Sequence, residues 1–79
     1  MITEEQLREI GLRCAKAQNG PWQPYIEGRD HDSGNSFIMT GNDDNRGEDI
    51  EMTGATVADF DFIAHSKQDI PLLIKKSED

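Results

Sequence analysis

The 79-residue chain has one cysteine, one tryptophan, one tyrosine and three prolines, and only 34% of its residues are apolar. A single Cys14 forms no internal disulfide and leaves no cysteine–histidine set for a structural zinc site. No run approaches the ~18 apolar residues that span a bilayer. The opening Met1-Ile2-Thr3-Glu4-Glu5 has neither a basic n-region nor an apolar h-region, so no signal peptide is expected. A lone cysteine without an export signal points to a cytoplasmic protein. Cations are also scarce: 8 Lys and Arg stand against 16 Asp and Glu, a net charge of −8. That balance disfavours direct nucleic acid or an anionic membrane as ligand, because phosphate recognition needs a basic patch. It favours solubility and basic partner surfaces.

The length fits one domain, residues 1–79, with a thin core. Domains this small bury a modest share of their surface and are marginal alone. With disulfide and metal excluded, self-association is the remaining supplement, and a homo-oligomer, a dimer or higher, is expected.

Thr3 and Gln6 have the spacing of a capping box, and Ile2 and Leu7 that of a hydrophobic staple. Glu4 and Glu5 suit the positive end of the helix dipole. Leu7, Ile10 and Cys14, extended by Ala15 and Ala17, form the helical stripe. Asn19-Gly20-Pro21 should stop it, with Gly20 as a left-handed C-cap. Strands are expected over 22–29, 36–40 and 49–53, joined by the polar turns 30–35 and 41–47. Ile50 and Met52 alternate with Glu51 and Thr53, as in a half-buried strand. Short loops between successive strands predict a three-stranded antiparallel meander. After Gly54, Thr56 is a second N-cap with Asp59 at N3, followed by a face of Val57, Phe60, Ile63 and Ala64. Pro71 should break this helix near Ser66, with a new one capped by Asp69 and carrying Ile70, Leu73 and Ile74. Lys75 and Lys76 suit its C-terminal end, and residues 77–79 should fray. The expected class is α+β, with both helices packed on one sheet face.

No nucleophile elbow, phosphate loop, zinc spacing or dinucleotide fingerprint is present, and no catalytic role or cofactor is expected. The acidic loop around Asp43 and Asp44 fails as an EF-hand: with Gly47 at the sixth position, Arg46 takes a ligand site and Thr53 the place of the bidentate Glu. His31 and His65 read as surface histidines, and Cys14 as a small apolar residue of the first helix. Trp22 enters the sheet directly after a helix stop. It reads as a core plug, with an aromatic platform for a ligand as the functional alternative. In that alternative Trp22, Tyr25, Arg29, His65 and Lys67 form the binding residues.

Two stretches, Cys14-Ala15-Lys16-Ala17-Gln18-Asn19-Gly20-Pro21-Trp22 and Asp59 to Leu73 (DFDFIAHSKQDIPLL), together resemble short accessory proteins of tailed phages and prophages, the Ead-like proteins among them. The resemblance covers about a third of the chain and implies a bacterial host cytoplasm but no activity. Where the family tail has Arg, this chain has Lys67, which grips a phosphate or carboxylate less well. Small phage proteins of this kind often bind something of the host. Three functions follow as expectations. In one, an oligomer sequesters a nucleotide-type small ligand as a counter-defence factor. In another, Asp43, Asp44, Glu48, Asp49 and Glu51 face a basic host protein, as a nucleic-acid mimic would. A structural role beside another phage protein is the third.

Overall fold

The computed structural model describes residues 1–32 and 34–78. Its order is α1 (Glu4–Lys16), β1 (Trp22–Tyr25), β2 (Phe37–Thr40) and α2 (Val57–Glu78). The α+β class holds, but the sheet has two antiparallel strands and not three.

α1 begins as its sequence dictates. Gln6 N–H donates to Thr3 Oγ1 at 3.1 Å and Thr3 N–H donates to Gln6 Oε1 at 2.8 Å, closing the capping box. The helix ends earlier than expected, at an extended Ala17 whose N–H donates to Arg13 O at 3.2 Å. Gly20 does not take the left-handed conformation. The cause is tertiary. Gln18 O accepts the Trp22 indole N–H at 3.1 Å, and Gln18 Oε1 accepts Glu48 N–H at 2.6 Å. Holding Gln18 to those partners peels the chain off the helix before the glycine is reached. The Gly20–Pro21 peptide is cis.

β1 and β2 pair with Trp22 opposite Thr40 and Tyr25 opposite Phe37. β1 stops at Tyr25 because Ile26 O becomes the hub of a turn, accepting Arg29 N–H at 3.0 Å and Asp30 N–H at 2.7 Å. Ile26 N–H in turn donates to Asp30 Oδ2 at 2.9 Å. The expected third strand reduces to one antiparallel bridge, in which Ile38 and Ile50 exchange N–H···O bonds at 2.8 Å each. On its Thr40 side the ladder does not extend, because Glu48 is bonded to side chains instead: Thr40 Oγ1 donates to Glu48 O at 2.8 Å and Gln18 takes Glu48 N–H. Ile50 and Met52 still pack against the core, so the alternation located the buried face though not the pairing.

α2 opens on a reciprocal cap, with Asp59 N–H to Thr56 Oγ1 at 3.1 Å and Thr56 N–H to Asp59 Oδ2 at 3.0 Å. It then runs through Pro71 to Glu78 without the expected break, and Asp69 caps nothing. Ser77 and Glu78 lie within it, while Asp79 is outside the described residues, as is Ser33 of the expected turn at 30–35. A proline inside a helix forfeits the bond to the carbonyl four residues earlier, here that of Lys67. Both flanks of the proline are anchored. Lys67 and Gln68 hold α1 and β1 on one side, and on the other Ile74 lies over Gly11. These anchors fix the helix path that the proline alone would not.

The buried core is Ile26, Ile38, Phe60 and Ala64, with Trp22, Ile50, Met52, Ala55 and Ile63 packed against it. Among the described residues α2 alone of the two helices covers the sheet; α1 packs on α2, which corrects the expectation that both helices lie on one sheet face. The molecule measures 43 × 28 × 19 Å, because α1 and the second half of α2 project beyond this core.

Candidate functional site

The five residues expected to bind a small ligand fall into three separate places. Trp22 and Lys67 meet where α1, β1 and α2 join. The Lys67 ammonium lies 5.9 Å from the Trp22 ring centroid and donates to Cys14 O near the C-terminal end of α1. A cation there complements the negative end of the helix dipole. Gln68 brackets the same strand: its Oε1 accepts Trp22 N–H at 2.9 Å and its Nε2 donates to Trp22 O at 3.1 Å. Gln68 thus acts as a surrogate strand partner for Trp22, which supports the core-plug reading of the indole.

Arg29 and His65 meet at Asp61. The Arg29 guanidinium grips the Asp61 carboxylate with two bonds of 3.0 Å, and its Nε donates to Asp30 at 3.1 Å. His65 Nδ1 lies 2.7 Å from the Asp61 backbone oxygen, which only accepts, so the ring donates there in the tautomer that carries its proton on Nδ1. Tyr25 lies elsewhere, stacked on Phe37 with centroids 5.5 Å apart. His31, expected on the surface, is half-buried and tilts against the same Phe37 ring. Cys14 is half-buried and lines a groove of about 530 Å³ with Gly11, Ala15, Lys67, Pro71, Ile74 and Lys75.

The acidic residues behave differently, because they stay on the surface. Asp43 and Asp44 occupy an exposed turn closed by Asn45 N–H to Asn42 O at 2.9 Å. The backbone of Glu48 is pinned by Gln18 and Thr40 while the residue remains exposed. Glu51 lines a shallow cleft of about 380 Å³ with Asn35, Ser36 and Phe60. Asp49 is paired with Arg46 at 2.8 Å. Residues 17–66 carry ten carboxylates and two cations, Arg29 and Arg46. Both of those cations are already engaged by carboxylates. Residues 1–16 and 67–79 carry six cations and six carboxylates, and all of these but Asp79, which is outside the described residues, lie in α1 or the second half of α2. The whole net charge of −8 therefore belongs to the half of the molecule built around the sheet.

Sequence reasoning missed the two glutamines that organise this arrangement. Gln18 falls in helical register with Leu7, Gly11 and Cys14, and Gln68 with Phe60 and Ala64. A long amide continuing an apolar stripe was the available signal, since a polar group at such a position needs hydrogen-bond partners.

The Arg29 bonds hold the Asp61 carboxyl below its ordinary value of 3.8. The Ile26 N–H, with Arg29 as a smaller cause, does the same for Asp30. A depressed carboxylate contributes stability that is fully present above the unfolded value and is lost as pH falls through the folded one. Stability from this cluster should thus disappear on acidification below about pH 4. Relief of the net charge acts oppositely over the same range, so the comparison is with Asp61→Asn. Urea midpoints measured across this range should converge for the two proteins as pH falls. Parallel curves would show that the pair contributes nothing.

Among the described residues no group of three or more His, Cys, Asp or Glu could hold a metal ion, and no helix is long and apolar enough to cross a membrane. No family model matches the chain, and neither a curated protein nor a solved structure matches it.

Proposed function

We propose that the chain is a non-catalytic binding protein of the phage accessory type, whose acidic half docks on a basic surface of a host protein. The observation that carries this reading is the separation of charge. Ten carboxylates share one half of the fold with two cations, and both cations are engaged. A field of one sign on an ordered turn steers a basic partner and disfavours acidic ones. The anchored backbone around Glu48 keeps that turn in place before any partner arrives. The phage setting, and with it a bacterial cytoplasm, rests on the resemblance of the Gly-Pro-Trp segment and the α2 sequence. Sequestration of a nucleotide-type ligand draws less support. Its two strongest cations, Arg29 and Lys67, already serve Asp61 and the end of α1, and Tyr25 stands apart from both.

The test compares the wild type with a variant carrying Asp43→Asn, Asp44→Asn, Glu48→Gln and Glu51→Gln. Each is used to capture partners from bacterial lysate, and the retained protein is then titrated in purified form. The expected partner is basic, is released by raising the salt, and binds the variant at least about tenfold more weakly. A partner whose affinity ignores both salt and these four substitutions would retire the proposal.

A further inference from the structure

None of the residues of α1 is buried, although its sequence is amphipathic. Between α1 and the second half of α2 runs an open groove of about 500 Å³, lined chiefly by Ile2, Leu7, Ile10, Ile70, Leu73 and Ile74. Ile2 is 49% and Leu73 66% exposed. Glu9 and Arg13 border an adjoining cleft with Ile2 and Ile10. We infer that this face is the interface of a homodimer, in which α1 packs antiparallel to the same helix of a second copy.

Area is the first argument for a second copy. The chain exposes 5919 Å². A compact monomer of its mass, 8.9 kDa, exposes about 4,800 Å², which leaves an excess of about 1,100 Å². A stable interface takes about 800 Å² from each partner, and an obligate homodimer takes more. The radius of gyration agrees: 14.3 Å, against about 11.6 Å for a compact chain of this length. The projecting helices account for that difference.

Charge is the second argument. Two copies that met through their acidic halves would bring like charges together. Residues 1–16 and 67–79, which supply the two helical segments, carry no net charge in total, so this face can meet its own copy without that repulsion. The order of charges along α1 also suits a two-fold axis. Glu4, Glu5 and Glu9 lie toward its start with Arg8 among them, and Arg13 and Lys16 toward its end, so the start is net acidic and the end basic. An isologous contact requires each patch to complement itself. Antiparallel packing meets that requirement, placing Glu9 of each copy near Arg13 of the other, with Ile10 and Leu73 beside them. The acidic turns would then face outward at both ends of the dimer. This inference stands independently of the partner-binding proposal, because it uses the opposite half of the fold.

Sedimentation equilibrium of the full chain over a range of concentrations tests it. The mass should rise with concentration from 8.9 kDa to twice that value. Leu73→Glu and Ile10→Glu should abolish the dimer while circular dichroism reports retained helix. Leu12→Glu, on an exposed residue outside the groove, should leave it intact. Glu9→Arg alone and Arg13→Glu alone should each weaken it about tenfold, and the two together should restore it. That rescue separates a contact between copies from simple loss of folding. A mass of 8.9 kDa at every concentration would overturn the inference. So would a dimer indifferent to Leu73→Glu, or a double charge reversal weaker than either single one.

Discussion

Ile38→Ala is expected to leave the domain largely unfolded at ambient temperature. Ile38 is fully buried and stands at the centre of the small core. It pairs with Pro24 on one side and bridges Ile50 on the other, so it ties both flanks of the sheet together. Truncating a buried isoleucine to alanine costs about 2–5 kcal/mol. The cost falls at the upper end where surrounding groups cannot collapse into the space. Here they are held by the Ile38–Ile50 backbone bonds and by Phe60 and Ala64 from α2. A single core in a domain of this size supplies roughly 3–5 kcal/mol in total, so the loss is comparable with the whole. Ile38→Val removes one methylene and should cost only about 1 kcal/mol. Urea denaturation followed by far-ultraviolet circular dichroism distinguishes the outcomes. A cooperative Ile38→Ala transition with a midpoint close to the wild type would mean that the core is not where the stability resides.

The parts of this fold that could be read from the sequence are those governed by neighbours. The pairs Thr3–Gln6 and Thr56–Asp59 are three residues apart, and each forms its cap whatever the rest of the chain does. The alternation of Ile50 and Met52 marked the buried face, because burial is a property of each residue. It did not fix the pairing, because pairing depends on backbone partners, and at Glu48, on one side of the bridge, Gln18 and Thr40 had already claimed them. Pro71 and Gly20 misled for the same reason. Their local preferences are worth a few kcal/mol or less, and anchors from distant residues set the helix ends instead. The site follows the same division. The acidic excess was visible as a count, and the exposed Asp43 and Asp44 turn as a pattern of polar residues. The Arg29–Asp61 grip spans 32 positions and has no local trace. The neutrality of the helical half becomes meaningful only once α1 is seen to pack against the far end of α2.

Gly41→Ala should open the turn that carries Asp43 and Asp44, and it couples the fold to the proposed binding face. Gly41 sits at a φ of +74°, a region L side chains rarely adopt. A Cβ there would stand 2.0 Å from Asn45 O and 2.7 Å from Asn45 C, both backbone atoms of the same turn. Backbone cannot swing aside as a flexible side chain does, so the turn itself has to shift. Its displacement strains the bonds at its base, Gly41 N–H to Pro21 O at 2.9 Å and Gly47 N–H to Thr40 O at 3.0 Å. Strain and lost bonds together should cost about 3 kcal/mol. Gly28→Ala separates the two causes. Gly28 has a similar φ of +86°, but a Cβ there meets nothing within 4 Å. Its cost should therefore be the conformational part alone, about 1 kcal/mol. Urea midpoints of the two variants test the difference, and equal losses would show that the close approach at Asn45 is relieved without effect. If the acidic turn is the docking face, Gly41→Ala should also weaken capture of the basic partner while leaving every carboxylate in the chain. Gly28→Ala should capture it as the wild type does. That combination would assign the binding to the geometry of the turn, beyond the net charge that both variants retain.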